Sequence, residues 1–266
     1  MPAPDFSDGE LIERKDVTDR LAVFRFRVAE PLRFTAGQYT TIGIKCDGEV
    51  IERPYSIVSS PYECSLEFFI ELVPGGIVTP QIWNLRVGAT VLIRRRVVGH
   101  FTLDTSSDRH LMMATVTGVA PFISMLRTRH FDNERGTSKR DQFLIIHGAS
   151  CSADLGPYRN ELEQLSSEGW IKYVPTISRP WKEPHWNGEI GRVEDIVRKH
   201  ADQLGFSSAN SVAYTCGHPQ MVENVKKVLT RARYLKHQIH EEQYFALHDS
   251  YLTGKTTLES TDVHPW

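Results

Sequence analysis

The sequence has no closely spaced cysteines, no long apolar run and almost no net charge, and each absence removes a class of function. Cys46, Cys64, Cys151 and Cys216 lie far apart and form no CxxC pair, iron–sulfur spacing or zinc pattern. They read as free thiols. Eleven histidines are present, yet none stands in the HxxxH or HExxH spacing that brings two ligands to one helix face. No metal site is expected. A Gly-x-Ser-x-Gly elbow is missing as well. No stretch reaches the roughly 18 apolar residues of a membrane span, and the opening "MPAPDFSDGE" lacks the basic head and apolar stretch of a signal peptide. A cytoplasmic location is expected. With 31 basic and 33 acidic residues the formal charge is −2, so bulk electrostatics names no partner and argues against nucleic acid.

What is present is a change of texture near residue 105 in a chain of 266 residues, a length that suits two ordinary domains. Before that point come short runs of period two, rich in β-branched and aromatic residues: "LAVFRFRVA", "QYTTIGIKC", "LEFFIELV" and "TVLIRRRVV". Turn residues separate them, as in "AGQ", "CDGE" and "PGG". Residues 1–104 are therefore expected to form an antiparallel β-barrel or sandwich. After the polar "LDTSSDRH" the rhythm becomes strand then helix: "RHLMMATV" before "TGVAPFISMLRTRHF", "DQFLIIHGA" before "PYRNELEQLSSE", then "WIKYVPTIS", and "SVAYTCG" before "HPQMVENVKKVLTRARY". Residues 105–247 are expected to form an α/β domain with a parallel sheet covered on both faces. Residues 248–266 are polar, with a weak pattern, and read as a C-terminal tail.

Four stretches carry chemistry. In "RPYSIVSSP", Arg53, Tyr55 and Ser56 put a fixed positive charge, a flat ring and a small hydroxyl within one short reach of a strand. That set suits a flat cofactor with a phosphate tail. In "VPGGIVTPQI" a glycine turn opens a short helix, whose free N–H groups favour an anion. "MMATVTGVAPF" places a glycine-containing turn between a buried strand and a helix, with Pro121 early in that helix. In "YTCGHPQMV" a strand ends at Cys216 and Gly217 allows a sharp turn.

These stretches, in this order, resemble the ferredoxin–NADP reductase family over roughly residues 10 to 245. The resemblance implies two domains: an antiparallel Greek-key β-barrel that holds FAD, then a Rossmann-like α/β domain that binds nicotinamide nucleotide. It implies that Arg53 of the Arg53-Pro54-Tyr55-Ser56 motif pairs with the FAD pyrophosphate, that Tyr55 packs on the isoalloxazine and that Ser56 bonds near flavin N5. Gly76, Ile77 and Thr79 match the second flavin-phosphate motif. The nucleotide-binding turn matches at Thr117 and Gly118, but Val116 stands where the family has a glycine, which narrows the loop. Cys216 is implied to sit beside the nicotinamide and Glu242 near the flavin. Tyr244, or Phe245 as the alternative, is implied to cover the exposed flavin face.

The coenzyme match is weaker. Ser178 and Arg179 fit the place where relatives hold the 2′-phosphate of NADP(H), since a dianion is best met by planar, always-charged donors. Ser150 and Glu189, however, stand where relatives often have arginines, with Arg192 three residues beyond Glu189. At ~1.5 kcal/mol per charge-assisted bond, two lost donors weaken phosphate binding by ~3 kcal/mol. NADPH is favoured only modestly, and NAD(H) stays possible.

The expected reaction passes a hydride between NAD(P)H and flavin, then single electrons between flavin and ferredoxin or flavodoxin, whose iron–sulfur or flavin centre sits on another chain. "RRRVV" at 94 to 98 is either a docking patch for an acidic carrier or a solvated barrel edge. Two other readings stand beside this one: an NADH-linked reductase component of an oxygenase, and an FAD-carrying module that no longer binds nicotinamide.

Overall fold

The computed structural model describes residues 5–46, 48–136 and 141–244. Phe245 and the segment 248–266 therefore lie outside the described residues.

The first half forms one antiparallel sheet of six strands: β1 (Phe6–Thr18), β2 (Leu21–Val28), β3 (Tyr39–Cys46), β4 (Glu49–Ser56), β5 (Leu66–Glu71) and β6 (Thr90–Arg94), with α1 (Val78–Trp83) between the last two. Their order across the sheet is β4-β3-β6-β1-β2-β5. The sheet curls until its edges meet, because the Val58 N–H, just past β4, donates to Glu67 O in β5 at 2.8 Å. Strand β2 shows why the alternation forms a barrel wall. Phe24 and Phe26 are wholly buried inside it, while Arg27 points outward and pairs with Glu10 at 2.7 Å. Strand β1 is an addition to the expected set. Its inward positions are Ser7, Gly9 and Leu11, and a Cβ on Gly9 would lie 2.4 Å from the Ile93 side chain. Small residues fill the face where a hydrophobic alternation would have marked the strand.

The second half forms a parallel sheet: β7 (Arg109–Thr115), β8 (Gln142–Ala149), β9 (Ile171–Ile177), β10 (Glu189–Ile190), β11 (Val212–Gly217) and β12 (Ile239–Gln243). Its order is β10-β9-β8-β7-β11-β12. Helices α2 (Ala120–Glu134) and α3 (Tyr158–Ser167) cover one face, where Phe122, Ile123 and Leu162 are buried. Helices α4 (Val193–Gln203) and α5 (Pro219–Arg231) cover the other with Val197, Val222 and Val225. A 3₁₀ turn over Val116–Val119 precedes α2, so that helix starts later than the spacing predicts. Among the described residues no helix is long and apolar enough to cross a membrane.

The two halves share a core rather than touching lightly. Leu21, Val58, Phe69 and Phe101 of the first half are in one buried cluster with Met112, Phe122 and Tyr158 of the second. Gly156 makes the approach possible. It has φ +69, and a Cβ there would lie 2.7 Å from the Phe69 ring. At the centre of the seam is Glu67, 2 % exposed, which accepts from Tyr158 OH at 2.8 Å and Arg127 at 3.3 Å and also pairs with Arg25. Burial alone would raise this carboxyl, but Arg127 with the Arg25 and Tyr158 bonds outweighs it and holds Glu67 below the usual range. Ser124 Oγ donates to Ser59 O at 2.8 Å across the same seam.

The 94 to 98 run is not an open basic patch. Arg94 is bound bidentately by Glu52 at 2.6 and 2.9 Å, and Arg95 pairs with Glu30. Most of its charge is spent locally.

Candidate active site

The parallel sheet is doubly wound. The chain leaves β7 toward β8 on one side and later returns on the other side at β11. A crevice opens beyond the carboxyl ends of strands at such a switch point. Here those ends are the Thr115 to Gly118 turn and the Cys216 to His218 turn, and they are in contact. A Cβ on Gly118 would lie 2.3 Å from Cys216 O, and one on Gly217, at φ +130, would lie 2.3 Å from Thr115 Oγ1. The Thr115 hydroxyl in turn accepts from the His218 N–H at 2.9 Å. Only glycine fits at either position, which is the physical content of the two motifs read in the sequence.

The edge strand β12 brings Glu242 beside Cys216 in register. Its continuation adds Tyr244, whose N–H donates to Gly217 O at 3.1 Å and whose hydroxyl donates to Thr117 O at 2.9 Å. From the other domain, Ser56 at the end of β4 donates its hydroxyl to Glu242 Oε1 at 2.8 Å. Four sequence-predicted residues, Ser56, Cys216, Glu242 and Tyr244, thus meet at the seam with Thr117 and Gly118. Burial raises the Glu242 carboxyl to about 6 despite the Ser56 bond that favours its anion. Burial, reinforced by Glu242, pushes the Cys216 thiol well up. It stays a neutral thiol at neutral pH.

Strand β4 is an edge strand, where the missing N–H of Pro54 costs no ladder bond. Alternation puts Arg53 and Tyr55 on one face and Ser56 on the other. The Tyr55 ring meets Phe68 edge-on, with centroids 6.5 Å apart, and burial keeps its hydroxyl protonated. The Arg53 guanidinium donates to Glu52 O at 2.7 Å. The turn before α1 is held by Gly76 N–H to Val73 O at 3.0 Å. The left-handed residue is Gly75, φ +79, one position before the glycine singled out in the sequence. Ile77 is the N-cap residue, and the Thr79 hydroxyl accepts from Val73 N–H at 3.0 Å, so Thr79 offers backbone rather than side chain. No acidic residue occupies the first turn of α1.

Ser178 and Arg179 follow β9, anchored by their N–H groups to Ala149 O at 3.0 Å and Ser150 O at 3.1 Å. Arg179 is exposed, and among the described residues its guanidinium has no hydrogen-bond or ion-pair partner. Glu189 does not stand as an open negative charge. It is bound by Lys199 at 2.6 Å and His200 at 2.9 Å, and the Lys199 bond holds its carboxyl below the usual range. Sequence reasoning missed the exposed indole of Trp181, 72 % accessible and two residues from Arg179. It also missed His147, buried in β8, because a lone histidine in an apolar strand carries no motif.

The residues present fit a dinucleotide flavin. An arginine and the free N–H groups of an acid-free helix start suit a pyrophosphate, a ring and a hydroxyl suit an isoalloxazine, and a carboxyl that burial raises to about 6 lies at the seam.

Comparison with known proteins bears on the family and the fold. Residues 8–102 match the Oxidoreductase FAD-binding domain family and residues 112–227 match the Oxidoreductase NAD-binding domain family. The flavodoxin/ferredoxin–NADP reductase of Shigella flexneri is 32 % identical over 228 residues, covering 84 % of this chain and 89 % of the relative. The phenol hydroxylase P5 protein of Acinetobacter pittii is 28 % identical over 243 residues, 90 % of this chain and 65 % of that protein. A ferredoxin NADP+ reductase from Neisseria gonorrhoeae, solved with bound FAD and NADP, superposes with a TM-score of 0.79 at 24 % identity, covering 91 % of this chain and all of that one. The antiparallel and the doubly wound halves share the fold of the solved reductase, and the chain belongs to the ferredoxin/flavodoxin–NADP reductase family of FAD-dependent, NAD(P)H-linked oxidoreductases.

Proposed function

We propose that this enzyme exchanges electrons between NADPH and a small one-electron carrier of the ferredoxin or flavodoxin type, with the seam as its reaction centre. One observation supports the placement above others: Ser56, from the FAD domain, and Glu242, from the nucleotide domain, share a 2.8 Å hydrogen bond beside the buried Cys216 thiol. Bound FAD supplies the conversion between a two-electron hydride and single electrons. The chain supplies position and proton control. Arg53 and the amides at Ile77 and Thr79 hold the pyrophosphate, with Gly76 shaping the turn through its bond to Val73 O, and Tyr55 packs on the ring. The neutral Cys216 thiol and Gly217 shape the nicotinamide side, where reacting atoms must be held in near-attack geometry. Tyr244 excludes water from the flavin face. Glu242, raised to about 6 by burial, is mostly the anion at neutral pH and accepts the Ser56 hydroxyl, and it takes up a proton as the pH falls through about 6.

At the far end of the coenzyme, Arg179 and Ser178 are the 2′-phosphate donors in this reading, with Arg192 close by in sequence. The ion pairing of Glu189 removes much of the repulsion that an open carboxylate would exert. The test is an anaerobic absorbance titration of the FAD-loaded protein with NADPH and, separately, NADH. Bleaching at lower NADPH than NADH concentration is expected. Bleaching by NADH alone favours the reading as an oxygenase reductase component, for which the phenol hydroxylase relative and the absence of arginine at 150 and 189 speak.

A further inference from the structure

Val116 departs from the family pattern, and its backbone shows how the departure is tolerated. It has φ +47, one of two non-glycine residues with positive φ among the described residues. A β-branched residue there is strained, and such strain persists only where surroundings impose it. The surroundings are specific. The Val116 carbonyl is 2.9 Å from His147 Nε2, on a histidine with no exposed surface. A carbonyl only accepts, so Nε2 carries the proton, and His147 Nδ1 is left to accept from the Tyr173 hydroxyl at 3.3 Å. Burial lowers the His147 pKa to about 4, which keeps the ring neutral at neutral pH, and the Val116 carbonyl selects the tautomer. The next carbonyl, Thr117 O, is taken by Tyr244, and Gly118 abuts Cys216 O.

We propose that His147 is a positioning residue for the coenzyme. Through its bond to the Val116 carbonyl it holds a valine in a left-handed conformation that glycine would adopt freely, and so fixes the Thr117-Gly118 turn on which the nicotinamide nucleotide lies. The inference rests on the reading of that turn as the coenzyme site.

The test is a double-mutant cycle on FAD-loaded protein with His147→Phe, His147→Gln and Val116→Gly. Phenylalanine removes the donor. Glutamine puts an amide N–H near the place of Nε2. His147→Phe is expected to raise KM for NADPH and NADH alike by about tenfold, with a smaller change in kcat and the same FAD content, whereas His147→Gln recovers most of the loss. In the Val116→Gly background the His147→Phe factor should shrink to under about twofold, because glycine needs no clamp. The thermal midpoint, measured without coenzyme, should show the same non-additivity. An equal effect of His147→Phe in both backgrounds, or equal losses for Phe and Gln, overturns the clamp. Failure of either coenzyme to reduce wild-type FAD would instead overturn the functional reading, while the thermal cycle still decides the clamp.

Discussion

Replacing Glu242 by Gln isolates one buried carboxyl with little change of shape. Glutamine can still accept from the Ser56 hydroxyl, so the 2.8 Å contact is retained while the titration is removed. Burial raises Glu242 from an ordinary 4.5 to about 6, and that interval corresponds to ~2 kcal/mol against the charged form. Because the folded-state value lies above the unfolded one, the native protein binds the extra proton between these two pH values. The contribution is fully present below pH 4.5 and is lost as pH rises through about 6. At pH 7.5 the wild type therefore carries the whole penalty and the variant carries none. Glu242→Gln should gain up to ~2 kcal/mol there, a rise in Tm of ~4–8 °C for a chain of this size, and should gain almost nothing near pH 4.5. Melting of FAD-loaded wild type and variant across this range measures it. In stopped-flow reduction by NADPH, an inflection near pH 6 should appear in wild type and be absent from the variant. A Tm difference independent of pH, or an inflection that survives the substitution, would refute the assignment of the proton to Glu242.

Three other outcomes follow from the same geometry. Arg179→Ala should raise KM for NADPH about tenfold or more, the loss of one charge-assisted bond of ~1.5–3 kcal/mol, and leave that for NADH nearly unchanged; equal weakening of both coenzymes counts against the 2′-phosphate role. Cys216→Ser should slow flavin reduction while FAD stays bound, since a hydroxyl in that buried, neutral site alters the alignment of the rings; unchanged stopped-flow traces remove Cys216 from the site. Glu67→Gln should cost about 3 kcal/mol by leaving Arg127 and Arg25 short of a partner. Since Glu67 titrates below its unfolded value, its stabilisation is present at neutral pH and lost as pH falls through the folded value, so the deficit of the variant should shrink in acid; a deficit that stays constant down to pH 3 would contradict the ion-pair account.

Most strands were legible because burial writes itself as period two, and β2 follows that rule with Phe24 and Phe26 inside, whereas β5 is buried on both faces, Phe68 toward the barrel and Phe69 toward the seam. Strand β1 was not legible, since Ser7 and Gly9 fill its inward face and a Cβ at Gly9 would strike Ile93. Strand β12 was missed for a related reason. Its charged "HEEQ" is an exposed edge of a parallel sheet, and its register comes from the β11 ladder rather than from hydrophobicity. The site itself was legible where a residue type is the only one that fits: Gly118 and Gly217 touch backbone, so no side chain can replace them. It was illegible where function depends on residues distant in sequence. Nothing in "LEFFIEL" marks Glu67 as the carboxylate that joins two domains through Arg127 and Tyr158.

That joining bears directly on the chemistry. Ser56 and Glu242 belong to different domains, and a relative shift of 1 Å would take their 2.8 Å bond beyond hydrogen-bond reach. A loosely hinged pair of domains could not keep it. The shared apolar cluster and the Glu67 network hold the seam closed from one side, and Tyr244 reaching Thr117 O ties the end of β12 to the nucleotide turn. Val116 fits the same account. Val116 has φ +47, a conformation that glycine adopts freely and a β-branched residue adopts only under strain. In the proposed clamp the donor for that carbonyl is His147, which topology supplies by laying β8 beside β7.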